Sequence, residues 1–103
     1  MLRHLVLLKF KAEATAAQVD TIVRAFVALS AQISAVKALE WGTDVSPEGL
    51  GKGFTHSFLL SFADAAGRDA YLPHPAHQAF VALLQPWLAD VLVIDYETRA
   101  AAG

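Results

Sequence analysis

The chain has no cysteine among its 103 residues. Disulfides and thiolate metal sites are therefore excluded, although that absence does not fix a compartment. Charge is scarce as well: eight Lys and Arg stand against ten Asp and Glu, a formal net charge of −2, with no basic cluster and no run of one sign. Nucleic acid is not an expected partner, because a binder concentrates cations to displace counterions from phosphates. No apolar run approaches the roughly 18–20 residues of a membrane span, so no membrane partner is expected either. Met1 leads straight into the strand-like LRHLVLLKF, which leaves no room for a signal peptide; the expectation is a cytoplasmic protein. Repeats, linkers and low-complexity segments are also lacking. The length then fits one domain, over residues 1–98, followed by a tail at 99–103 that includes RAAAG.

What the chain does have is apolar surface. Hydrophobic residues make up 55% of it, above the roughly 45–50% of ordinary chains, in a domain small enough to have a high surface-to-volume ratio. One protomer cannot bury all of that surface, and a homodimer is the expected outlet.

LRHLVLLKF (2–10) alternates as a strand, with Leu2, His4, Val6, Leu8 and Phe10 on one face and Arg3, Leu5, Leu7 and Lys9 on the other. Both faces are apolar at the centre, so both should be covered. Residues 15–34 open with Thr15 and Gln18 in capping-box spacing. Val19, Ile22, Val23, Phe26 and Ile33 then recur at helical intervals, predicting an amphipathic helix. Residues 35–45 read as a second strand and SPEGLGKG (46–53) as a Gly-rich loop. FTHSFLLSF (54–62) alternates again, with Phe54, His56, Phe58, Leu60 and Phe62 on one face. Asp64 can cap a short helix that Pro73 and Pro75 interrupt. Pro75 suits the first position of another helix, with a core stripe of Ala76, Phe80, Leu83, Leu84 and Trp87, and Pro86 should loosen its last turn. DVLVIDY (90–96) is the final strand. The order β-α-β-β-α-β predicts a ferredoxin-like α+β protomer, and two of its sheets face to face would make a dimeric α+β barrel.

The segments HLVLLKFK (4–11), WGTDVS (41–46), GFTHSFLLSF (53–62), YLPHPAH (71–77) and VIDY (93–96) together resemble the stress-responsive A/B barrel, or Dabb, family, in order and over nearly the whole chain. The resemblance is strongest to plant members, among them a polyketide cyclase that closes an aromatic ring by intramolecular aldol condensation without a cofactor. It implies a dimeric α+β barrel whose pocket lies between sheet and helices. It also implies a catalytic pair at Tyr71 and His77, with Asp95 near the histidine and His4 and His56 as pocket histidines. Leu88 stands where the cyclase pocket carries a tryptophan. The expected pocket walls are Phe26, Val27 and Leu88.

The residues themselves support part of this. His4 and His56 sit on strand faces made otherwise of Val, Leu and Phe, and a polar group there needs a partner or a wet cavity. Two core histidines bonded to backbone or to each other would satisfy the same pattern. His77 falls in the first turn after Pro75, where the positive end of the helix dipole disfavours a second positive charge. That keeps the imidazole neutral, as a base near pH 7 must be. Asp95 is expected to accept its other ring N–H, and Tyr71 to hydrogen-bond a substrate oxygen as it becomes an oxyanion. His74, ahead of Pro75, reads as a helix cap, and Lys37 as a surface lysine. No histidine spacing fits a metal site, and no haem, flavin or nicotinamide signature is present; neither metal nor cofactor is expected. Three functions remain open. One is a cofactor-independent enzyme acting by proton abstraction on a small, carbonyl-rich, polyketide-like substrate. Another is a non-catalytic dimer that binds a small hydrophobic molecule or serves stress tolerance. The last is cofactorless oxidation of a phenol.

Overall fold

Alternation sets the first strand. In β1 (Leu2–Phe10), Leu2, His4, Val6 and Leu8 are buried while Arg3, Leu5, Leu7 and Lys9 are half-exposed. The computed structural model describes residues 1–101. It continues with α1 (Ala16–Gln32), β2 (Ala38–Thr43), β3 (His56–Phe62), α2 (Ala65–Tyr71), α3 (Pro75–Leu84), a single 3-10 turn (Gln85–Trp87) and β4 (Leu88–Glu97). This is the ferredoxin-like α+β order, with the second helical element divided in two. The four strands form one antiparallel sheet in the order β2-β3-β1-β4.

Local chemistry explains the element ends. Thr15 and Gln18 form the expected capping box at the start of α1, whose buried face is Ile22, Val23, Phe26 and Leu29. The strand expected from residue 54 starts two residues later. Lys52 and Gly53 adopt left-handed backbone (φ 58° and 87°), and Phe54 N–H turns back to Gly51 C=O at 2.9 Å. β2 likewise starts late, because Val36 N–H still bonds Ile33 C=O. Asp64 caps α2 through Gly67 N–H, and the His74 ring accepts from Ala76 N–H at 3.1 Å, capping α3 as expected. Pro86 falls in the 3-10 turn, so the α-helix ends before it and β4 begins earlier than expected, at Leu88. Residues 99–101 carry no regular structure; the rest of the expected tail, 102–103, lies outside the described residues.

All helices lie on the face of β1 that carries His4. Phe26 stacks on Phe58 (ring centroids 4.1 Å apart) and tilts against Phe80 (4.6 Å), joining α1, the sheet and α3. Leu83, expected in the α3 core stripe, is exposed, while Phe80 and Leu84 are buried. Among the described residues, the opposite sheet face carries no helix. Leu5, Leu7 and Leu59 lie half-exposed there, beside the exposed Leu92, Ile94 and Tyr96. No helix among the described residues is long and apolar enough to cross a membrane.

Candidate active site

A cavity of about 290 Å³ opens between the sheet and the α2–α3 corner. Most of its wall is apolar, including Phe26, Phe80 and Leu88; its polar side chains are His4, Tyr71, His77, Gln85 and Asp95. Strand register brings two of these together. His4 on β1 faces Asp95 on β4 as a cross-strand pair, and the His4 Nδ1–H donates to Asp95 Oδ1 at 2.5 Å. The other carboxylate oxygen accepts from the Arg68 guanidinium of α2 at 3.0 Å.

Tyr71 ends α2 and is fully buried. Its ring lies 5.9 Å from that of His4 and 4.5 Å from that of His77. Among the described residues its hydroxyl has no hydrogen-bond partner, an omission that ordinarily costs ~1–3 kcal/mol. Burial pushes the phenol well above its usual range, so it stays protonated and acts as a donor. His77 lies in the first turn of α3, and its Nδ1 is 2.9 Å from the Leu72 carbonyl oxygen. A carbonyl only accepts, so Nδ1 carries the proton and Nε2 is a bare acceptor. Burial lowers the pKa of His77 below the ordinary 6.5; the bond to the Leu72 carbonyl opposes this, and nearby His4 adds to the lowering. A neutral imidazole beside a protonated, unpaired phenol can remove a proton from carbon while a hydrogen bond holds the oxyanion that forms.

Of the expected site residues, the fold brings His4, Phe26, Tyr71, His77, Leu88 and Asp95 to this cavity. Asp95 does not orient His77 as expected: it bonds His4 and Arg68, and the Leu72 carbonyl takes the His77 proton. His56 falls elsewhere. It pairs with Leu8 in the β1–β3 register, whereas His4 pairs with Leu60. Four residues along a strand amount to about 14 Å. It contributes instead to a separate recess with Val19, Val23 and Trp41. Val27 is also outside the cavity, since one helical step beyond Phe26 turns it about 100° away; it packs half-buried against the core. Lys37 is exposed, with its ammonium 3.3 Å from the Ser34 carbonyl oxygen. Arg68 was not singled out from the sequence. Its spacing of three before Tyr71, which puts both on one helix face, is the signal that marks it. Among the described residues, no three of His, Asp and Glu converge as metal ligands would.

Residues 2–98 match the family described as Stress responsive A/B Barrel Domain. The chain is 34% identical over 97 residues to olivetolic acid cyclase of Cannabis sativa, covering 94% of this chain and 96% of that protein. It is 34% identical over 100 residues to the stress-response A/B barrel domain-containing protein HS1 of Arabidopsis thaliana, covering 97% and 92%. Among solved structures, hydroxynitrile lyase of Passiflora edulis matches with a TM-score of 0.86 at 27% identity, over 92% of this chain and 90% of that one. A dimeric ferredoxin-like protein of Thermobifida fusca matches with a TM-score of 0.81 at 26% identity, over 94% and 90%.

Proposed function

The chain belongs to the stress-responsive A/B barrel domain family, and from that premise we propose that it is a cofactor-independent enzyme acting by proton abstraction on a small, apolar, carbonyl-rich molecule. The observation that carries this reading is the pairing of a buried, unpartnered Tyr71 hydroxyl with a His77 whose Nε2 is left bare. His77 Nε2 takes a proton α to a substrate carbonyl. The C–H electron pair passes into the carbonyl, and the oxygen becomes an enolate held by the Tyr71 O–H. The enolate carbon then attacks a second carbonyl of the same molecule, as an aldol closure requires, and the proton held on His77 is available to the new alkoxide. The apolar walls take the rest of the substrate and exclude water. Relatives that bear the names cyclase and lyase share this fold, which supports an enzyme without choosing its substrate.

The test is a turnover screen with β-polyketide thioesters and 1,3-diketones, run on wild type and His77→Ala side by side. Turnover that His77→Ala abolishes supports the reading; equal rates in both proteins end it. A second reading, a non-catalytic binder of small hydrophobic molecules, draws on the predominance of aliphatic and aromatic walls in the cavity. It gains if wild type binds such compounds and turns over none.

The working unit in this proposal is a homodimer. The helix-free sheet face presents Leu5, Leu7, Leu59, Leu92, Ile94 and Tyr96, a patch that a second copy would cover, and related structures are described as dimeric. Light scattering at micromolar concentration is expected to give twice the chain mass, and a stable, well-folded monomer would overturn this.

A further inference from the structure

We propose that Arg68 is a positioning residue which, through Asp95, locks His4 in its Nδ1–H tautomer and turns a second bare imidazole nitrogen toward the cavity. The inference deepens the proton-transfer reading and rests on it only for its kinetic consequence.

His4 is 5% exposed and set among apolar side chains, with its ring edge-on to Phe62 and Tyr71. Its one side-chain hydrogen bond among the described residues runs to Asp95. A free imidazole exchanges between two tautomers; one whose Nδ1 faces an ionised carboxylate does not, because the carboxylate can only accept. The carboxylate must in turn be held. Arg68 holds it by Nη1 on Oδ2, and the guanidinium is itself fixed through Nε on Asp69 at 3.1 Å. The side chains of Arg68 and Asp95 are 23% and 25% exposed. The bond is therefore less competed by water than an open surface pair. The chain Arg68–Asp95–His4 thus does for His4 what the Leu72 carbonyl does for His77. Both imidazoles lie against the Tyr71 ring, and on each an acceptor takes the Nδ1–H, which leaves Nε2 as the free nitrogen. One can take a proton from carbon while the other serves the group that receives or returns it, an arrangement suited to substrates with two neighbouring carbonyls.

The experiment is long-range proton–nitrogen correlation NMR on ¹⁵N-labelled protein at about pH 8, well above the ordinary imidazole range. Wild type is expected to show His4 as the Nδ1–H tautomer. Arg68→Met is expected to add a substantial Nε2–H population at His4 and leave the His77 tautomer unchanged; Arg68→Lys, which keeps the charge but not the fork, should fall between them. An Nε2–H or doubly protonated His4 in wild type overturns the proposal without any variant being needed, and so does an unchanged His4 tautomer in folded Arg68→Met. Where turnover is found, Arg68→Met should lower kcat about tenfold, the lower scale for losing a group that orients a reacting one, with KM nearly constant. If no substrate is turned over, the enzyme reading fails while the tautomer result still decides the role of Arg68.

Discussion

Two recesses on the helix-covered face of one sheet each carry a histidine beside an aromatic ring, and they differ in what surrounds those groups. In the first, His4 and His77 each give Nδ1–H to an oxygen that can only accept, and the Tyr71 hydroxyl is buried with no partner among the described residues. In the second, a recess of about 320 Å³, His56 Nδ1 lies 2.8 Å from the Thr55 hydroxyl. A hydroxyl both donates and accepts, so it fixes no tautomer. Trp41, whose ring stacks parallel to that of His56, is 46% exposed. Burial lowers the pKa of His56 just as it does that of His77, so the direction of that shift does not separate the two places. Partner chemistry and enclosure do. A histidine becomes a competent base where an obligate acceptor holds one nitrogen and a cavity faces the other.

Substituting one histidine from each recess should separate the two places most strongly. His77→Ala should lower turnover about 10²–10⁴-fold, the ordinary worth of general acid–base catalysis, while His56→Ala leaves it nearly unchanged. Comparable losses in steady-state assays of both variants would erase the distinction. Tyr71→Phe should lower turnover about 10²-fold, as removal of one oxyanion donor does. The same change should raise the unfolding free energy in urea by about 1 kcal/mol, since it deletes an unsatisfied buried hydroxyl. A destabilised variant would show that the hydroxyl has a partner after all.

The pH dependence sharpens the contrast further. With the His77 pKa below 6.5, the base stays unprotonated somewhat past that point, so the acid limb of the kcat/KM profile should lie below pH 6.5. Stability carries the matching sign. Between 6.5 and the lower folded value the unfolded chain binds the proton and the native state does not, so unfolding becomes easier as pH falls through that window. The smallest effect belongs to the other histidine of the α2–α3 corner. His74→Ala removes the cap on Ala76 N–H and should cost about 1 kcal/mol in thermal or urea unfolding, with turnover unaltered.

The architecture was largely legible in the sequence because periodicity reports directly on which face of an element is buried. The alternation of LRHLVLLKF, the Thr15–Gln18 cap and the Pro75 helix start all stand where the residues indicated. Each depends on neighbours within a few positions. Element ends were less legible where left-handed backbone at Lys52 and Gly53 turned the chain before β3. Leu83 shows a related limit: helical spacing marks a stripe without saying how wide the neighbouring element is, and α3 leaves that edge of the stripe exposed.

The sequence by itself determined that His4 and His56 sit on otherwise apolar strand faces, that His74 caps and that His77 opens a helix. Resemblance carried the expectation that Tyr71 and His77 form a pair. Only the tertiary structure decided which histidines share a cavity. Strand pairing is set by register between segments dozens of residues apart, and the same rule that seats His4 opposite Asp95 carries His56 to the far end of the sheet, opposite Leu8. Nor does any local pattern say that Asp95 turns to His4 and Arg68 and leaves His77 to the Leu72 carbonyl. That choice follows from how the α2–α3 corner lies over the sheet, a long-range packing outcome that no window of neighbouring residues contains.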